Sequence, residues 1–301
     1  MSAVELSIII VSYNVSFDLR DCLNSIRANT ENVDYEIIVI DNNSRDESVD
    51  VVESSFPGVR LIKNPANLGF ARASNQGVEI AMGSYILFLN PDTVLLNNAC
   101  LLLLNELRSH EKVGIVGPKL FYSASREYYP SIRRFTKPRD IFIKHLPFYK
   151  KISSVWRGGC QESDAKQDVD WLVGAALLLP KSLIDELGSF DEAYFLYSED
   201  EDLCLRFHRN GYHIRYHPEA EIIHLGGKSS QQCKHESIRL FWKSQMLLFR
   251  RNYSKPEVDR WRQFFMILLW LKIPFVRGTS RDMHRTALKV HQDIKQSEKE
   301  K

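Results

Sequence analysis

The chain has few cysteines and no pairing pattern among them. Cys22, Cys100, Cys160, Cys204 and Cys233 are scattered and odd in number, with no C-x-x-C. That argues against a disulfide frame or a cysteine zinc site and for reduced, partly buried thiols in a cytoplasmic protein. Long apolar runs are missing too: no stretch has the length and apolarity of a membrane-spanning helix. The first apolar run, residues 6–11, has no basic flank before it and no small-residue cleavage site after it, so it reads as a strand rather than a signal core. Charge is nearly balanced, at a formal net of +2, which gives no bulk reason to expect nucleic acid. The chain shows no internal repeats and no low-complexity linker. Finally, the first strand-to-helix turn reads Val11-Ser12-Tyr13-Asn14-Val15 and lacks G-x-G-x-x-G. This sets aside a dinucleotide-binding protein, although Asp41 stands where such a protein keeps its ribose acid.

What is present is an ordinary globular composition, 44% hydrophobic and 26% charged over 301 residues, enough for one large domain or two small ones. Strand and helix signals alternate through the first 120 residues. Strands are expected over 6–11, 36–40, 59–62, 85–89 and 113–116. Helices are expected after Ser16 (as a cap), up to about residue 54, over 69–82 despite Gly77, and over 97–108. Such alternation implies an α/β fold with a mostly parallel sheet flanked by helices. Residues 121–168 show no clear period and read as a long excursion over the active-site face. Regular structure resumes over 170–179. A helix begins at Pro180, another covers 199–210 and ends at Gly211, and short strands fall over 213–216 and 221–224. From residue 240 the pattern is helical.

In open parallel sheets ligands sit beyond the carboxyl ends of the strands. Three polar clusters fall there: Ser12-Tyr13-Asn14, Asp41-Asn42-Asn43-Ser44 and Asn90-Pro91-Asp92. Each alone is a plain turn sequence. Three together, each at a strand end, describe the lining of one crevice. A further acidic run, Glu199-Asp200-Glu201-Asp202, opens a helix. Acids there favour the helix dipole and cap free amides, but four in a row exceed that need. Crowded carboxylates raise one another's pKa, which suits a base working near neutral pH.

These segments resemble glycosyltransferase family 2, and within it the bacterial rhamnosyltransferase-like branch. The matching stretches are residues 7–14, 39–44, 64–70, 88–93, 198–203 and 224–229, in that order and spacing. The resemblance implies a GT-A fold, an inverting mechanism and a divalent metal, Mg²⁺ or Mn²⁺. It implies that Asp41 accepts a hydrogen bond from the pyrimidine of a dTDP- or UDP-linked sugar donor. Ser12, Tyr13, Asn14 and Asn43 then line the nucleotide pocket, and Arg72 and Asn75 help hold the nucleotide or sugar. The family's D-x-D element is altered here: Asn90 replaces the first acid, which leaves Asp92 as the metal ligand and Asn90 as a neutral partner. His224 adds a nitrogen ligand, its other reading being a core histidine. Asp200 is the implied base, with Glu199 and Asp202 orienting it or the acceptor. Arg206 is placed to pair with Asp202 at i,i+4. Trp171 and Gly174 fall on the acceptor side, Trp171 reading equally as a core residue. The expected domains are a GT-A catalytic domain, 1–238, with a nucleotide half to about 120, and a helical extension, 239–301.

The extension carries the basic charge. From residue 250 onward 13 Lys and Arg face 6 Asp and Glu. The apolar run 264–276, broken by Pro274 and flanked by arginines, suits a helix lying in a membrane interface. The other reading is a helix packed on the catalytic domain or on a second copy; the membrane interface is favoured because acceptors in the resembled family are often lipid-linked. The expected reaction is transfer of a sugar, rhamnose favoured, to a glycan or lipid-linked glycan at the inner face of the cytoplasmic membrane. The rivals are another sugar from a UDP donor, or an inactive scaffold of the same fold.

Overall fold

The computed structural model describes residues 4–146, 163–226 and 234–297. Cys160, Cys233 and the Gly227-Lys228-Ser229 end of the last matching stretch lie outside the described residues. Two compact units are present. One holds residues 4–135, 163–195 and 199–226; the other holds 136–146, 196–198 and 234–297.

The first unit is built on a mixed sheet. Strands β1 (Leu6–Ser12), β2 (Tyr35–Asp41), β3 (Arg60–Lys63) and β4 (Tyr85–Leu89) lie parallel in the order β3-β2-β1-β4. Every residue of β1 is buried, as a strand covered on both faces requires. Helices α1 (Ser16–Asn29) and α2 (Ser48–Ser55) cover one face through Leu19, Leu23, Ile26, Val51 and Val52. Helix α3 (Phe70–Ile80) covers the other, with Ala71, Ala73 and Val78 against Ile9 and Ile40. Gly77 is tolerated mid-helix because α3 lies close on the sheet: a methyl there would stand 2.6 Å from Ile9 Cγ2. Ser16 does not cap α1. The helix begins on Ser16, whose backbone N–H is satisfied from a distance by Asp46 Oδ2 at 2.8 Å.

Beyond β4 the parallel expectation needs correction. After β5 (Thr93–Leu95), α4 (Ala99–Ser109), β6 (Val113–Phe121), and the short β7 (Tyr128–Tyr129) and β8 (Ile132–Arg133), the chain returns through β9 (Gln167–Val169) and β10 (Trp171–Leu172). Strand β11 (Ala176–Pro180) then enters antiparallel between β4 and β6. Its residues are apolar on both faces, so their pattern carries no direction. Residues 170–179 are therefore two elements: β10 pairs with β8 in a separate two-stranded ladder, and only β11 joins the main sheet. Likewise the two strands expected near 213–224 are one, β12 (His213–His224), with its register shifted between His217 and Glu221, where Pro218 lies. Helices α6 (Lys181–Leu187) and α7 (Glu199–Arg209) precede it.

The second unit is helical: α5 (Pro138–Lys144), α8 (Lys234–Asn252), α9 (Lys255–Lys272) and α10 (Gly278–Ser297). They share a core of Ile141, Trp242, Met246, Phe249, Phe265 and Val290. His291 is buried in it, and among the described residues neither ring nitrogen has a hydrogen-bond partner. Burial, reinforced by the charges of Arg262 and Arg250, pushes the His291 pKa down to about 3. Among the described residues, no helix is long and apolar enough to cross a membrane.

Candidate active site

The loops after β1 and β2 are stitched together. Asn42 N–H donates to the Ser12 carbonyl at 2.8 Å, and Ser44 N–H donates to Asp41 Oδ2 at 3.0 Å. Asn14 and Asn43 take left-handed φ of 53° and 69°, a conformation asparagine tolerates. The Asn14 side chain accepts from Arg45 N–H at 2.6 Å, which locks one loop on the other. Tyr13 is half-buried and Asn43 exposed. Ser12 and Asp41 are buried, yet Ser12 Oγ and Asp41 Oδ1 have no hydrogen-bond partner among the described residues. Buried polar atoms without partners are costly, and they mark a place where a ligand's complementary groups fit.

Arg72 and Asn75 sit one turn apart on α3 and both turn to the segment before α7. Asn75 Nδ2 donates to the Phe190 carbonyl at 2.8 Å and to Glu192 at 3.2 Å, and exposed Arg72 pairs with Glu192 at 3.8 Å. Asn42 is equally structural: its amide bonds Asn67, Gly69 and Leu68 and ties β2 to the segment that starts α3.

At the end of β4, Asn90 N–H donates to the Ala175 carbonyl at 2.9 Å. The antiparallel pairing of β12 with β5 brings His224 opposite Thr93. His224 Nε2 thereby lies 3.4 Å from Asp92 Oδ1 and 3.3 Å from Asn90 Nδ2. Both Asp92 and His224 are buried, and His224 Nδ1 has no hydrogen-bond partner among the described residues. Sequence separation is 132 residues, so only the sheet makes them neighbours. Among the described residues no three His, Cys, Asp or Glu side chains gather as a complete metal set. Asp92 and His224 offer one oxygen and one nitrogen donor, a set that fits a divalent ion completed by substrate oxygens and water.

Asp200 stands at the start of α7 with both carboxylate oxygens held by backbone. Gly174 N–H donates to Oδ2 and Glu201 N–H to Oδ1, each at 2.8 Å. Gly174 is glycine for a visible reason: a Cβ there would lie 3.0 Å from Asp200 Cβ and 3.2 Å from Oδ2. Burial raises the Asp200 pKa, and the two amide donors pull it back part of the way. Glu199 is buried, with Oε2 unpartnered; burial first, then the Asp200 charge, push its pKa well above the usual carboxylate range. Asp202 serves elsewhere. It pairs with Arg206 Nε at 3.0 Å and accepts from Tyr194 Oη at 3.2 Å. Arg206 in turn donates to the carbonyls of Leu187, Gly188 and Ser189, so this pair pins the segment leading into the site. Trp171 is half-buried at the edge of the core, its indole N–H donating to the Arg134 carbonyl at 2.9 Å.

Two residues escaped the sequence reading. The Tyr129 ring packs on the His224 ring at a centroid distance of 4.9 Å, and burial raises the pKa of its hydroxyl. Arg133, four residues on, pairs with Trp171 across the β8–β10 ladder, and its charge is one of the smaller influences that hold the Asp200 pKa down against burial. Both belong to the excursion of residues 121–168, which showed no period that could single them out.

This architecture is that of the GT-A glycosyltransferases. Mannosyltransferase PcManGT from Pyrobaculum calidifontis, solved in complex with GDP-Man and Mn²⁺, superposes with a TM-score of 0.57 at 15% identity, over 96% of this chain and 84% of that one. The family description "Glycosyl transferase family 2" matches residues 7–161, and "Glycosyl transferase family group 2" matches residues 85–276. The chain belongs to glycosyltransferase family 2 and is a glycosyltransferase of the rhamnosyltransferase-like kind. The N-acetylglucosaminyl-diphospho-decaprenol L-rhamnosyltransferase of Mycobacterium tuberculosis is 28% identical over 265 residues, 83% of this chain and 85% of that protein. Rhamnosyltransferase WbbL of Escherichia coli K12 is 27% identical over 264 residues, 84% of this chain and 96% of that protein.

Proposed function

We propose that the chain transfers a sugar, rhamnose in the favoured case, from a dTDP- or UDP-linked donor to a hydroxyl of a lipid-linked glycan, with inversion at the anomeric carbon. The observation that carries this reading is the Asp200 carboxylate, fixed by two backbone amides and crowded by Glu199. Such a group is oriented for one task, and burial raises its pKa, as a general base requires. The acceptor hydroxyl gives its proton to Asp200, and its oxygen attacks the anomeric carbon from the face opposite the diphosphate. A single carboxylate serves this displacement, since no second one is needed as a nucleophile.

The unpartnered Asp41 Oδ1 and Ser12 Oγ suit the imide N–H and a carbonyl of a pyrimidine. Tyr13, Asn14 and Asn43 line the same pocket in this reading, and Arg72 and Asn75, tied to Glu192 and Phe190, help hold the nucleotide or sugar. Asp92 and His224 would hold Mg²⁺ or Mn²⁺, with Asn90 beside them; the bound ion would supply positive charge for the departing diphosphate. Trp171 and Gly174 lie on the acceptor side. The proposed place of action is the inner membrane face. Phe264, Ile267, Trp270, Leu271 and Phe275 are exposed on α9 and just beyond it, among arginines and lysines, as an interfacial helix would have them.

The test is a panel of nucleotide sugars with Mg²⁺, Mn²⁺ and chelator, on wild type and Asp200→Asn. Turnover of one donor, lost in the variant while donor binding persists, is the expected result. Unchanged turnover in Asp200→Asn removes the base assignment.

A further inference from the structure

The chain reaches Asp200 through a turn bent against its own preference. Tyr197 and Ser198, just ahead of α7, take left-handed φ of 72° and 63°. Neither is glycine or asparagine, so each β-carbon crowds the backbone there. Two such residues in a row persist only where their surroundings hold them. The holds are visible on both sides. Upstream, the Phe195 carbonyl accepts from Phe70 N–H at 2.7 Å, and Gly69 lets that oxygen come close, since a Cβ there would stand 2.5 Å from it. Residues 196–198 belong to the helical unit. There buried Ser244 of α8 donates its hydroxyl to the Leu196 carbonyl at 2.7 Å. One turn earlier on α8, Phe241 meets the Tyr197 ring edge-on at a centroid distance of 6.0 Å. Downstream, Asp200 is held by the amides of Gly174 and Glu201.

We propose that Ser244 is a positioning residue for the base: its grip on the Leu196 carbonyl keeps the Tyr197-Ser198 turn left-handed, and that turn sets where the Asp200 carboxylate meets the Gly174 amide. The inference rests on the reading of Asp200 as base. With the grip cut, the strained turn relaxes toward negative φ. A change of φ swings the chain that follows it, while Phe195 stays fixed on Phe70, so the displacement falls on the start of α7 and on Asp200. Strain also gives the clamp a signature. Glycine adopts left-handed φ without cost, so a turn that carries glycine at position 198 has less need of Ser244.

The experiment uses the full chain as wild type, Ser244→Ala, Ser198→Gly and the double variant. Two quantities are read: hydrogen exchange at the Gly174 amide, whose acceptor is Asp200 Oδ2, and the pH dependence of kcat. Ser244→Ala should speed Gly174 exchange by about tenfold, the worth of one hydrogen bond. Exchange at the Asn42 amide, bonded to Ser12 on the donor side, should stay within about twofold. The same variant should lower kcat by about tenfold and move the acid limb up, with donor KM unmoved. On the Ser198→Gly background, Ser244→Ala should cost about threefold or less in exchange and in kcat. Phe241→Leu, a second cut at the same clamp, should act as Ser244→Ala does, more weakly. Equal losses on both backgrounds would show that Ser244 does not hold strain, and overturn the proposal. Unchanged Gly174 exchange in Ser244→Ala overturns it too, as does an equal rise at Gly174 and Asn42, which marks a general loosening of the fold. Turnover kept by Asp200→Asn is a different result: it removes the base reading and the catalytic half of this inference, while Gly174 exchange still decides whether Ser244 sets the carboxylate.

Discussion

Gly174→Ala tests the central geometry with a single methyl group. The substitution leaves the backbone conformation accessible, since no left-handed φ is involved at this position. The methyl instead meets Asp200, 3.0 Å from its Cβ and 3.2 Å from Oδ2. Neither atom can retreat freely, because Oδ1 is anchored to the Glu201 amide at 2.8 Å. The carboxylate must rotate or shift by a few tenths of an ångström, which stretches the Gly174 N–H contact to Oδ2, also 2.8 Å. A hydrogen bond to a charged group is worth roughly 1.5–3 kcal/mol. Losing half or more of it raises the Asp200 pKa by about one unit. The raised pKa leaves less of the base ionised, so the acid limb of the pH–rate profile should move up by about one unit. Misplacement adds its own cost, and kcat near neutral pH should drop by roughly tenfold to a hundredfold. Donor KM should stay put, since the added methyl meets Asp200 rather than Asp41 or Ser12. The assay is initial rate against pH at saturating donor and acceptor, with a thermal melt to verify folding. A variant with wild-type kcat and an unmoved acid limb would refute the claim that these two amides orient and tune the base.

Arg206→Ala should cost about 3–5 kcal/mol in urea unfolding, because it leaves the Asp202 carboxylate buried without its cation; a loss below about 1 kcal/mol would mean the clamp on residues 187–189 is dispensable. Acid should weaken the helical unit well above the usual carboxylate range. His291 is held neutral with its pKa near 3, so its contribution is full above an unfolded value of about 6.5 and is lost as pH falls toward 3. Between pH 7.5 and pH 5 that amounts to about 2 kcal/mol, read from urea midpoints; His291→Leu should flatten this part of the curve, and an unchanged slope would show that His291 is not the group responsible.

Much of the donor side was legible in the chain itself. Consecutive β-branched residues at 8–11 and 37–40 can only be strands buried on both faces, and polar residues that follow such strands must gather at one edge of a parallel sheet. Ser12, Asp41 and Asn90 could thus be placed together from local pattern. The Asp202–Arg206 pair was legible as well, because helical spacing is a local property; what it clamps was not. Strand direction escaped the pattern at β11, where both faces are apolar and either orientation satisfies burial equally. The pleat at Pro218 escaped it because a missing amide interrupts pairing without ending the strand. Above all, three contacts depend on segments far apart in sequence: Asp92 with His224, Gly174 with Asp200, and Tyr129 with His224. Local sequence determines which residues can do chemistry and which strand end they occupy. Which of them touch is decided by how β11 and β12 insert into the sheet, since those contacts exist only once distant segments are packed, and the packing free energy belongs to the whole core rather than to any one stretch of chain.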